Sequence, residues 1–230
     1  MTDGELDELL NHHPTLLHMA ERGSWPSIQA HGLLSATALL DLYGVGGDKR
    51  EAIESQRRPA GVALDHPALG RAVIRDQLPM DDASLARCLR DGLEPRDWYG
   101  LLNGLVFFWL TRARLLRLLA AKPYRGGEHD VLEIDARSLV RAHRERIVLS
   151  PINSGATRPF PQPRGLDTFR RIADYPYAAW RAKRPRGERV VELAVDCAVP
   201  DIAAHVTRVV RMRGGEEVSV VWGRPPASRP

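Results

Sequence analysis

The chain has 230 residues, 43% of them hydrophobic and 27% charged, with 17 prolines, a balance that fits one compact domain and excludes a largely disordered or fibrous protein. Cys88 and Cys197 stand far apart and match no paired metal spacing, which argues against a disulfide scaffold or zinc ribbon and for a reducing, cytoplasmic setting. The longest apolar run, Leu101 to Leu110, is broken by Asn103 and Gly104 and is too short for a bilayer span, and the acidic start (Asp3, Glu5, Asp7, Glu8) is unlike a secretory signal, so no membrane partner is expected.

In chain order, residues 1 to 13 read as a polar helix closed by Pro14, and Thr15 to Met19 as a short strand carrying His18. Ser24-Trp25-Pro26 starts a helix that Gly32 ends, and a second helix covers Ala36 to Leu42. Asp48 to Gln56 predicts a charged helix, Val62 to Leu64 a strand and Asp82 to Leu89 a helix. Leu105 to Leu110 (LVFFWL) has the content of a buried strand and runs into an amphipathic helix from Arg112 to Ala121. Val131 to Asp135 alternates as a strand, Ala136 to Arg146 as a helix, and Ile147 to Leu149 as another strand. Pro151, Pro159, Pro161 and Pro163 mark a long loop. Val190 to Val195 follows as a strand and Pro200 to Ala203 as a turn or short helix. Val206 to Met212 and Val218 to Trp222 then form a hairpin across Arg213-Gly214-Gly215-Glu216. Strands interspersed with helices, ending in an antiparallel hairpin, predict an α+β fold over residues 1–223, with a frayed tail over 224–230.

Familiar sites are missing from the sequence: there is no Walker-type phosphate loop, no GxGxxG and no GxSxG elbow, and the spacing of His12, His13 and His18 suits no metal. What remains is His18 in the first strand, Arg112 where the aromatic strand meets its helix, and Glu192 inside Val190-Val191-Glu192-Leu193-Ala194-Val195. A carboxylate in so apolar a strand needs a reason, because burying an unpaired charge is costly. Either it serves chemistry, or it alternates onto a solvated face near Arg186 or Arg189.

Leu16-Leu17-His18-Met19, Trp25-Pro26-Ser27-Ile28 and Gly32-Leu33-Leu34-Ser35 resemble the opening of DarT-type ADP-ribosyltransferases. Phe108-Trp109-Leu110-Thr111-Arg112 with Leu115 and Leu116 resembles their second element, an aromatic strand running into an arginine, and Val191-Glu192-Leu193-Ala194-Val195 with Val199-Pro200 and Ile202 resembles their glutamate strand. The chain also resembles an uncharacterised bacterial family, more closely than it does DarT itself. Residues 36–104 and the loop from Pro151 to Arg186 have no counterpart in the toxins.

The resemblance implies a split antiparallel sheet with flanking helices, NAD as co-substrate, no metal, and mono-ADP-ribosylation of a macromolecule, nucleic acid before protein. It implies Glu192 as the catalytic carboxylate, Arg112 as catalytic and pyrophosphate-binding, and His18, Ser35 and Phe108 at the cofactor, with Phe107 and Trp109 further candidates for the nicotinamide wall. An antitoxin or protein acceptor would be a further partner, and the alternative is a module of the same fold that binds nucleic acid or a protein without turning over NAD. Independently, Pro151 to Arg189 carries nine basic side chains against three carboxylates, interleaved with Phe160, Phe169, Tyr175, Tyr177 and Trp180. Guanidinium groups for phosphates beside aromatic faces for bases compose a single-strand DNA or RNA surface, with Arg158, Arg164, Arg170 and Arg171 as its contacts; a solvated loop pinned by its aromatics has the same composition.

Overall fold

In the computed structural model, which describes residues 1–225, the first helix α1 (Asp3–His12) starts at Thr2, whose hydroxyl accepts from Glu5 N–H while the Glu5 carboxylate accepts from Thr2 N–H. Strand β1 (Thr15–Glu21), α2 (Trp25–His31) and α3 (Ala36–Leu42) follow at the expected places; a short β2 (Leu33–Leu34), which the sequence did not predict, lies between the two helices. Gly32 between α2 and β2 has φ +85°, and a Cβ there would lie 2.7 Å from the Pro200 Cα, so only glycine permits this approach. Then come α4 (Gly47–Ser55), the hairpin β3 (Val62–His66) and β4 (Gly70–Ile74), α5 (Asp82–Cys88), α6 (Pro95–Asn103), β5 (Leu105–Trp109) and α7 (Arg112–Leu119). The second half holds β6 (Glu128–Asp135), α8 (Ala136–His143), β7 (Ile147–Ser150), β8 (Arg170–Arg171), α9 (Tyr177–Lys183), β9 (Glu192–Asp196) and β10 (Ala198–Val199). A two-residue turn, Gly214 and Gly215 at φ +58° and +103°, joins β11 (Val206–Arg213) to β12 (Glu216–Gly223).

The fold is α+β, built on an eight-stranded sheet in the order β12-β11-β6-β1-β5-β9-β7-β8, every pairing in it antiparallel. β1 pairs with β6 along its whole length, from Thr15 to Glu21, and β5 pairs with β9 from Leu105 to Trp109. Between β1 and β5 the register holds at a single pair, Leu17 opposite Trp109. The main core fills one face with Leu16, Phe108, Leu132, Leu193 and Val195, while Leu17, Met19, Leu115 and Val131 form a second cluster on the other.

Residues 36–104 build two satellite clusters. One lies around Leu40, Ile53 and Leu64; the other surrounds Met80, Leu85 and Trp98, on which Phe107 and Phe169 pack. Arg58 ties the first to its surroundings, donating to Ile53 O at 2.6 Å, Asn103 Oδ1 at 2.9 Å and Arg75 O at 3.0 Å. β4, α6, β8, α9 and β10 were not expected from the sequence, and β9 begins at Glu192 rather than Val190, with Val191 N–H on Ser150 O just ahead of it. Within the expected tail, Arg224 N–H bonds Thr207 O at 3.0 Å, and residues 226–230 lie outside the described residues. Among the described residues no helix is long and apolar enough to cross a membrane.

Candidate functional site

A cavity of about 590 Å³ is bordered by both strands of the weakly joined pair, with His18 of β1, Phe107 and Trp109 of β5, and Glu192 of β9 on its walls. Glu192 stands opposite Trp109 on one neighbour and Ser150 on the other, so its side chain leaves the sheet on the face of Trp109 and Phe107 while Leu193 and Val195 enter the main core. It is 5% exposed, which overturns the solvated-face alternative; Arg186 and Arg189 instead pair with Glu8. Its Oε2 accepts from Ser154 N–H at 3.0 Å. Burial pushes its pKa up to about 7, against the opposing pull of Ser154, Arg164 and Arg114.

His18 Nδ1 lies 2.9 Å from Phe107 O, and since a carbonyl only accepts, Nδ1 carries the proton. Burial lowers the His18 pKa to about 4, and nearby Arg75 works in the same direction. The ring is therefore neutral at pH 7, with Nε2 left as an acceptor.

Arg112 does not join them. It is exposed and bridges Glu133 at 3.4 Å and Glu217 at 3.1 Å, on the β6 and β12 half of the sheet, so the expected convergence of three residues is corrected to two. Arg114, two positions along α7, lines the cavity instead, as do Arg117, Leu118 and Ala121 at helical spacing. The Arg114 guanidinium pairs with Glu188, and its Nε is buried without a partner. Ser35 borders the cavity, but its hydroxyl caps α3 by accepting from Ala38 N–H at 3.2 Å. Phe108 is 1% exposed in the main core; Phe107 and Trp109 are the half-buried aromatics on the Glu192 side.

Residues 14–206 match a family described as a family of unknown function, DUF7002. The chain belongs to that family. No curated protein and no solved structure matches it. The DUF7002 region runs from the residue before β1 to the first residue of β11, so it contains His18, Arg114 and Glu192 and leaves out α1 and most of the final hairpin.

In this DUF7002 chain the four loop arginines part company. Arg158, Arg170 and Arg171 are exposed, holding Asp81 at 2.7 Å, Asp167 O at 3.2 Å and Asp196 at 3.0 Å. Arg164 has no exposed surface and cannot touch a nucleic acid, which corrects that expectation. Tyr175 and Tyr177 are buried in the main core and Phe169 stacks on Trp98 at 5.8 Å, so they anchor the segment, whereas Phe160 is 81% exposed.

His143, Asp201 and His205 bring ligand-type atoms within 4.8 Å of one another. Arg146 donates to His143 Nδ1 at 2.7 Å, which leaves the proton on Nε2, and that N–H donates to Asp201 at 2.6 Å. This trio is satisfied as a hydrogen-bond network tying α8 to the turn after β10. Arg75, Arg114 and Ser154 are among the cavity residues that sequence reasoning passed over. For Arg114 the signal was the phase of α7, and for Arg75 and Ser154 there was none.

Proposed function

We propose that this DUF7002 chain is an NAD-dependent mono-ADP-ribosyltransferase acting on a macromolecular acceptor, nucleic acid before protein, and that its sheet is of the split ADP-ribosyltransferase type. One observation carries the reading: His18 and Glu192, 174 residues apart in sequence, line one cavity between strands that share a single register pair. Arg75, Arg114 and Arg117 bring positive charge to the cavity walls, where a pyrophosphate would sit. Arg114 Nε and Ser154 Oγ are buried without partners and would meet a ligand only after their side chains turn.

In the reaction the bond between ribose C1′ and the nicotinamide nitrogen breaks, its electron pair leaving with nicotinamide as a neutral molecule. An acceptor heteroatom then bonds C1′, and its proton passes to the Glu192 carboxylate or to water. Glu192 opposes the positive charge that develops on the ribose; one pair about 4 Å apart is worth roughly 4 kcal/mol at an effective dielectric of about 20, close to three decades in rate. Neutral His18 accepts from a ribose hydroxyl and fixes its orientation, while Arg114 replaces Arg112 as the forked donor to the pyrophosphate.

The test is to incubate the purified chain with NAD and mixed DNA, RNA and protein acceptors and to follow released nicotinamide. Glu192→Gln is expected to lower release by about two to three orders of magnitude; equal rates for the two proteins reject the reading. The displacement of Arg112 from the cavity favours one second reading, a module of the same fold that binds nucleic acid or a protein without turning over NAD. Nucleic-acid or protein binding with no nicotinamide release would select that reading.

A further inference from the structure

Arg164 lies in the irregular stretch between β7 and β8, is wholly buried, and hydrogen-bonds no carboxylate. A guanidinium inside a protein is costly unless its surroundings repay it. It donates to Ser154 O at 2.7 Å, Ala156 O at 2.9 Å and Gln162 O at 3.0 Å, and lies 5.7 Å from the centre of the Trp98 ring. Trp98 Nε1 donates to the same Ser154 carbonyl at 3.2 Å. The other backbone polar group of Ser154, its N–H, is the donor to Glu192. Both ends of one residue are therefore fixed, the carbonyl by two buried side chains and the amide on the carboxylate. The charged groups acting on Glu192 are Arg164 from this stretch and Arg114 from α7; its strand neighbours in register, Trp109 of β5 and Ser150 of β7, are uncharged.

We propose that Arg164 and Trp98 are positioning residues for Glu192: they lock the Ser154 backbone so that its N–H stays on the carboxylate, and the guanidinium is the countercharge of that buried group. Pulling Arg164 into the core is repaid by this charge balance and by its bonds to three carbonyls, of which it shares Ser154 O with Trp98. The part this plays in turnover rests on the transferase reading; the effect on Glu192 itself does not, and is read without substrate.

The experiment titrates the Glu192 carboxyl by carbon NMR in the full chain, with Glu192→Gln identifying the resonance, and compares Arg164→Met and Arg164→Lys with the parent. Arg164→Met removes the countercharge, so Glu192 should titrate about one pH unit higher or more, and Ser154 N–H should exchange with solvent about tenfold faster. Arg164→Lys keeps the charge with a poorer fork and should fall between. A residue that merely holds the loop would change stability and leave the titration where it was; that result in folded Arg164→Met overturns the proposal. Should Arg164→Met not fold, Trp98→Phe keeps the ring and removes one donor. Faster Ser154 exchange is then expected, and unchanged exchange overturns the clamp. If the parent releases no nicotinamide, the transferase reading fails while the titration still decides the clamp.

Discussion

Glu192 and His18 face one cavity with opposite shifts, and the signs can be separated by pH. Glu192, raised to about 7 in the folded chain from an ordinary 4.5, binds a proton more readily folded than unfolded. Its contribution to stability is therefore present below about pH 4.5 and is lost as pH rises toward 7. His18, lowered to about 4 from 6.5, behaves in reverse and contributes stability above pH 6.5 that is lost as pH falls toward 4. Between pH 4.5 and 6.5 the two nearly cancel; between 6.5 and 7 the Glu192 slope stands alone. Glu192→Gln should thus gain stability over the parent as pH rises, by up to about 3 kcal/mol at pH 8, and match it near pH 4, as denaturant melts at the two pH values would show. A gain of equal size at both pH values would mean that the carboxylate is not buried as described. Arginines two residues apart offer a sharper contrast. Arg112 holds exposed ion pairs worth about 1 kcal/mol or less, so Arg112→Ala should leave NAD affinity within about twofold, whereas Arg114→Ala removes a cavity donor and should weaken it about tenfold or more. Calorimetry with NAD on both variants checks this.

Among the elements, the strands were the legible part, because Leu16–Met19 and the segment around Glu192 are apolar runs whose one polar or charged member stands out. His18 and Glu192 were found for that reason, and their meeting across the sheet followed only from topology. α7 was legible as a helix, but which of Arg112 and Arg114 turned inward depended on a phase that the neighbouring strand fixes. Arg164 was misread because composition counts charge and not burial; nothing in Pro163-Arg164-Gly165 says that three carbonyls await a guanidinium. β4 and α6 went unread because Arg71 in the one and Arg96 and Asp97 in the other dilute their apolar pattern, their burial being supplied by the satellite clusters. Of the four arginines expected to contact nucleic acid, Arg158, Arg170 and Arg171 are exposed, and Phe160 is the exposed aromatic of the segment from Pro151 to Arg189; under the transferase reading they are its contacts for a single strand. Replacing Arg158, Arg170 and Arg171 by alanine should lower the log-log salt slope of single-strand binding by about 2, at roughly 0.7 per lost phosphate contact, with NAD cleavage into water intact. Filter-binding across a salt series decides it, and an unchanged slope would turn the search to a protein acceptor.

On the scale of the whole molecule, the cavity is a joint product of the large sheet and of residues 36–104, which bring Arg75 within electrostatic reach of His18 while Arg58 holds the Arg75 carbonyl. That stretch gave no sequence match to the transferases, and under the transferase reading it is where the choice of acceptor would reside. The single Leu17–Trp109 pair also divides the sheet into two ribbons, β12-β11-β6-β1 and β5-β9-β7-β8. Such a seam unzips at the expense of few backbone hydrogen bonds, so β5 amides pointing toward β1 should exchange their hydrogens through a local opening, well ahead of those in β6 and β11. A ligand spanning His18 and Glu192 would stitch the ribbons together, and its first trace in a deuterium-exchange experiment should be slowed exchange along that line, with the interiors of the ribbons barely changed.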